Sequence, residues 1–132
     1  MQAFELIQAQ RRLSYREFGN PSGENILVCL PGILENQSSF DALVPFFKAQ
    51  NDTRVVTIDL CGRGQSDWLA PTQRYSMQQY SEDLKQFLAH LHATHQRKQR
   101  KMHLLGTSMG AILAMHLASD VDLKVHTSSS TI

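Results

Sequence analysis

The chain has 132 residues, 42% of them apolar and 19% charged, with a formal net charge of +1. These values fit one folded domain and exclude a disordered chain. The near-neutral charge gives no reason to invoke nucleic acid, and no run reaches the roughly 18 apolar residues of a membrane-spanning helix.

In chain order, "AFELIQAQ" and "RLSYREFG" have short strand-like patterns, and "NPSGEN" is a turn cluster. "ILVCL" (26–30) is a continuous apolar run of strand length, the mark of a strand buried on both faces, and Pro31 and Gly32 end it at once. "SSFDALVPFFKAQ" opens with serines suited to cap a helix and predicts one helical face of Phe40, Leu43, Val44 and Phe47. "RVVTIDL" (54–60) is a second buried strand, followed by the glycine-containing loop "CGRGQSDWLAPTQR".

"YSMQQYSEDLKQFLAHLHATH" predicts a helix with Ser76 as its cap and an apolar stripe of Tyr80, Leu84, Phe87, Leu88 and Leu91. His90, His92 and His95 do not have the spacing of a ligand pair and are expected at the surface or in a groove. The basic run "RKQRK" (97–101) reads as a helix end, where cations suit the dipole. "KMHLL" is a third buried strand, then comes the turn "GTSMG", then the helix "MGAILAMHLASD". Alternating strands and helices predict an α/β fold: a mostly parallel sheet with helices on both faces. Ligand sites of such sheets lie at the carboxyl ends of the strands, where Pro31 and Gly32, the loop 59–67 and the turn 106–110 all fall.

The turn places Ser108 between Gly106 and Gly110. A strand that enters a helix through one tight turn strains the backbone at the serine, and glycines two residues away on each side let strand and helix cross closely. The hydroxyl then stands at the amino end of a helix, where the dipole and the N–H of Met109 face an oxyanion. Alone, GxSxG arises by chance in about one chain of this size in 25, and its bland meaning is a turn with a capping serine. A preceding buried strand and a following helix make it specific.

Three motifs in this order resemble the α/β-hydrolase family: "LPGILENQSSF", similar to the oxyanion loop; "DLCGRGQSD", similar to the loop after the fourth strand; and "GTSMG", similar to the nucleophile elbow. The resemblance covers the chain to about residue 125. It implies Ser108 as nucleophile and the N–H groups of Ile33 and Met109 as the oxyanion hole, with Gly32, Gly106 and Gly110 shaping the loop and the elbow. It further implies that Asp59 and Ser66 brace the second loop, that Gly62 and Gly64 allow its path, and that a small-molecule acyl substrate is bound without cofactor or metal. Where the family often has His-Gly in the oxyanion loop, this chain has Pro31-Gly32.

A serine nucleophile needs a base. The family order is serine, acid, histidine, and after Ser108 only His116 and His126 remain, with Asp120 and Asp122 as acids. None is placed as a triad member should be, so the chain is expected to be truncated after the family's fifth strand and the helix that follows it. Residues 1–125 then form the N-terminal part of a hydrolase domain. Residues 126–132, "HTSSSTI", form a tail where the family has an apolar sixth strand. With TCN serine codons, a frame one base earlier reads the three serines as Leu, Ile, Val or Phe, so the tail is expected to be out of frame. "KMHLL" is then a sheet edge, the last helix loses cover, and the chain folds marginally with little or no esterase activity.

The leading function is hydrolysis of an ester, thioester or similar acyl bond. Carbon–carbon bond hydrolysis or a lyase reaction on the same fold is the alternative, and a non-catalytic binding module a third. Trp68, Tyr75 and Phe40 are candidates for pocket lining or for packing. The start "MQAFELIQAQRR" has no apolar signal-peptide core, and Cys29 and Cys61 are not in a metal-like spacing. A cytoplasmic, reduced protein without a membrane partner is the expectation.

Overall fold

The computed structural model describes residues 2–6, 11–32, 35–49, 51–95, 101–119 and 125–130, the last by backbone alone. Among the described residues six strands form one mixed sheet: β1 (Gln2–Glu5), β2 (Arg12–Gly19), β3 (Asn25–Leu30), β4 (Thr53–Ile58), β5 (Lys101–Thr107) and β6 (Val125–Ser130). Their order is β1-β2-β4-β3-β5-β6. β1 and β2 add antiparallel strands to one side, and β4, β3, β5 and β6 run parallel.

The apolar runs become the inner strands because both of their faces are covered. Even-numbered residues of β3 and β4 face α2 (Met77–Thr94) and α3 (Met109–Ala118), and Ile26, Val28, Val56 and Ile58 share one core with Leu84, Phe87, Leu113 and Leu117. On the other face Cys29 and Val55 pack against Phe40, which sits on a 3-10 helix, Gln37–Leu43, that leads into α1 (Val44–Lys48). Ser76 caps α2 as expected, its Oγ accepting from the N–H of Gln79 at 3.1 Å, and all five stripe residues are buried.

Four expectations need correction. The segment after residue 36 is not one amphipathic helix. Pro45 has no N–H to give to a helix interior, so the chain runs as a 3-10 helix to Leu43 and restarts with the proline in the first turn of α1. Phe40 is buried while Leu43 is 40% exposed, the cap is Asn36 rather than a serine, and the Phe47 side chain lies outside the described residues.

His95 is not at the surface. It ends α2 buried, with Nε2 2.8 Å from the Gly23 carbonyl and Nδ1 3.3 Å from Arg54. A carbonyl can only accept, so Nε2 carries the proton and Nδ1 accepts from the guanidinium.

The basic run does not end α2, which stops at Thr94. Its last residue, Lys101, opens β5, and residues 97–100 lie outside the described residues. β5 is also not an edge. The backbone of Val125–Ser130 pairs with it in parallel, Thr107 opposite Ser130, because a Ser/Thr-rich stretch still supplies every ladder N–H and carbonyl. Ile112 and Met115 on α3 remain 60% and 62% exposed.

Candidate active site

The register brings the three loops together. Leu30 of β3 lies opposite Gly106 of β5, and Cys29 opposite Thr57 of β4. The chain therefore leaves all three strands at one end of the sheet, where Gly32, Asp59 and Ser108 follow. At that end Ser108 has φ 54° and ψ −121°, the one non-glycine residue with positive φ among the described residues. Such a conformation costs about 1–3 kcal/mol and persists only where the surroundings impose it.

The imposition is visible on both sides of the serine. A Cβ on Gly106 would fall far inside 3.0 Å of the Gly110 carbonyl, and one on Gly110 far inside 3.0 Å of the Leu30 carbonyl. The first turn of α3 is thus pressed onto the ends of β5 and β3, and side chains at either position would push it off. The Ala111 N–H bonds the Ser108 carbonyl at 3.0 Å and starts the helix.

Ser108 is exposed, and its side chain makes no capping hydrogen bond. A serine there for capping would use its oxygen on the N–H groups of the first turn. Here the hydroxyl stays available, and Met109, first residue of α3, has an N–H without an intrahelical acceptor. Gly32 is buried next to it: a Cβ there would lie 3.2 Å from Ser108 Cβ. Ile33, expected to give the second oxyanion donor, lies outside the described residues.

The second loop is braced as the motif implies. Asp59, 1% exposed, accepts from the Gln37 N–H at 2.7 Å, from Gln37 Nε2 at 2.9 Å and from the Gln65 N–H at 2.9 Å. Ser66 donates to the Asp59 carbonyl at 2.6 Å and accepts from the Ser14 N–H at 2.8 Å. Gly64 has φ 51°, and a Cβ there would overlap the Asp59 carboxylate. Asp59 therefore joins the loop after β4 to the start of the 3-10 helix.

Gln37 escaped the sequence analysis. Buried, it also accepts from Arg16 Nε at 3.0 Å. Arg11 escaped it too. It forms a two-pronged pair with Asp83 on α2, at 2.9 and 3.2 Å, and donates to Cys61 Sγ at 3.0 Å. Burial pushes the Asp83 carboxyl above its ordinary value, and the Arg11 guanidinium pulls it part of the way back.

The expected pocket lining is not gathered. Phe40 faces the opposite side of the sheet from α2 and α3, and Trp68 is 73% exposed. The Tyr75 hydroxyl accepts from the Leu69 N–H at 3.0 Å, so this side chain braces the loop around Gly62.

Among the described residues no histidine reaches Ser108. His116 lies in a groove of about 550 Å³ between α2 and α3, with Met77 and Ile112. His126 is in register with His103. Five residues of strand put it about 16 Å from the elbow. Asp120 and Asp122 lie outside the described residues. Among the described residues no helix is long and apolar enough to cross a membrane.

Residues 21–127 match the model of the family described as serine aminopeptidase, S33. The 3-hydroxybutyrate-oligomer hydrolase of Cupriavidus necator is 36% identical over 107 residues, 81% of this chain and 34% of that protein. An α/β hydrolase enzyme from a Medee basin deep-sea metagenome library superposes with a TM-score of 0.79 at 22% identity, over 97% of this chain and 43% of its own. The thioesterase domain from the curacin biosynthetic pathway gives 0.76 at 26% identity, over 95% and 43%. The chain thus spans about a third of the Cupriavidus protein and less than half of either structure. With the match covering most of its residues, the chain belongs to the serine aminopeptidase S33 family of α/β hydrolases.

Proposed function

We propose that residues 1–125 carry the nucleophile part of a serine hydrolase site that cleaves an ester or thioester. One observation carries this: Ser108 holds a strained positive φ at the start of α3 while its hydroxyl is left unused by the helix. Ser108 Oγ attacks the acyl carbon, and the N–H groups of Met109 and Ile33 hold the oxyanion. The oxyanion collapses, the alcohol or thiol leaves with the serine proton, and water then releases the acid. The names of the Cupriavidus relative, an oligomer hydrolase, and of the thioesterase domain support an acyl substrate. The two cysteines, both free and buried, support a reducing cytoplasmic setting.

The histidine and acid of the triad are assigned to sequence beyond residue 125, and residues 126–132 to a shifted frame. The nucleotide sequence across codons 120–132 tests the frame. An alternate frame with an apolar strand, a later Asp and a final His supports it, and the absence of one rejects it.

The nucleophile is tested with p-nitrophenyl esters and intact-mass detection. Without the base, acylation of Ser108 in this chain should be slow, so the adduct is read after restoring the frame, where it should form rapidly and vanish in Ser108→Ala. A frame-restored protein that takes no adduct at Ser108 is not a serine hydrolase, and the motif is then a turn or a binding surface.

A further inference from the structure

We infer that Gln37 is a positioning residue for Ser108: clasped between Arg16 and Asp59, it holds the far end of the turn that lies against the serine. This rests on Ser108 being the nucleophile and adds the residue that sets the chain beside it.

The turn touches the serine at Gly32. That residue is buried, and a Cβ built on it would lie 3.2 Å from Ser108 Cβ. The Glu35 N–H bonds the Gly32 carbonyl at 3.1 Å and closes the turn. Its near end leaves β3 at Leu30, whose carbonyl abuts Gly110. Its far end reaches Gln37 two residues after Glu35.

Gln37 is buried and gripped through both its backbone and its side chain. Its N–H donates to Asp59 Oδ1 at 2.7 Å, and its carbonyl accepts from Arg16 Nη2 at 3.1 Å. Its Nε2 donates to Asp59 Oδ2 at 2.9 Å, and its Oε1 accepts from Arg16 Nε at 3.0 Å. A guanidinium can only donate, so the amide has one orientation that serves both neighbours. Bonds to charged partners are also about twice as strong as neutral ones. The turn beside Ser108 is therefore held at one end by β3 and at the other by this clasp. Phe40 anchors the 3-10 helix separately, packed with Cys29 and Val55, so holding the turn and holding the helix can be told apart.

The test is amide hydrogen exchange by NMR on the full chain. Gln37→Leu removes the amide, and Gln37→Glu sets a second carboxylate against Asp59. In both variants exchange at Glu35 should rise at least about tenfold more than at Val56 in β4. The Met109 amide signal should move with it, because the turn rests against the neighbouring serine. Phe40→Leu should speed Glu35 and Val56 alike, as a loss of packing does. Gln37→Glu combined with Asp59→Asn restores an acid facing an amide and should bring Glu35 most of the way back. Glu35 exchange that rises no more than that of Val56, or a Met109 signal that stays in place, overturns the inference and leaves Gln37 as a support of the fold alone. Exchange does not pass through chemistry at Ser108, so this failure is distinct from the absence of an acyl adduct.

Discussion

The carbonyl of Leu30 faces Gly110 with no room for a Cβ between them. One residue ends β3 and the other lies in the first turn of α3, so this approach ties the end of β3 to the turn at Ser108. The obstructing atoms are backbone, which cannot swing aside as a side chain would. Gly110→Ala should destabilise the fold by about 3 kcal/mol, the upper end of ordinary overpacking costs. In urea this is a midpoint lowered by about 1–2 M at unchanged slope. A midpoint within experimental error of wild type would mean that α3 can slide off β3 freely.

Ser108 is a different case, since the strain there is conformational. Glycine adopts a positive φ without the Cβ penalty, whereas alanine keeps it. Ser108→Gly should therefore be more stable than Ser108→Ala by about 1 kcal/mol, with neither forming the acyl adduct. Equal midpoints for the two variants would show that the turn stores no strain.

Much of the architecture was legible because it rests on runs and periods. β3, β4 and β5 announce themselves as apolar stretches too long for loops and too short for helices. α2 shows its stripe and its Ser76 cap, and the elbow shows its two glycines. The remainder depends on partners distant in sequence. Gln37 looks like any loop glutamine, yet it bonds Asp59 twice across 22 residues. Arg11 and Asp83 are 72 residues apart, and an acid on the buried side of α2 has no periodic mark. His95 follows a helix of polar and apolar alternation that says nothing about the Gly23 carbonyl waiting behind it. Tyr75 and Phe40 were plausible pocket residues because aromatic composition cannot tell a loop brace or a packing anchor from a wall. Pro45 was the signal that the Phe40 segment would not stay one helix.

The Arg11–Asp83 pair predicts an asymmetry between single and double replacement. Asp83 is 5% exposed, so removing its carboxylate leaves the guanidinium without its main partner in a poorly hydrated place. Asp83→Ala should cost about 3–5 kcal/mol, while Arg11→Met combined with Asp83→Leu should recover most of it. A double-mutant cycle by urea denaturation checks this. Additive losses would show that the two groups act independently.

The thiols predict how stability responds to alkali. Cys29 is fully buried, and burial pushes its pKa from 9.0 up to about 12. Cys61 is raised in the same direction by burial, with the Arg11 guanidinium working against it. Below pH 9 both the folded and the unfolded chain keep the Cys29 proton, and the full contribution is present. Above pH 9 the unfolded chain loses it and the folded chain does not. Stability should therefore fall by about 1.4 kcal/mol per pH unit from Cys29 alone, until the folded thiol also ionises near pH 12. Cys29→Ala should start from lower stability, since it empties part of the cluster with Phe40 and Val55, but it should lose this part of the alkaline slope. Urea midpoints at pH 8, 9 and 10 in both proteins read the difference directly. Parallel slopes would mean that the folded Cys29 thiol ionises as readily as the unfolded one.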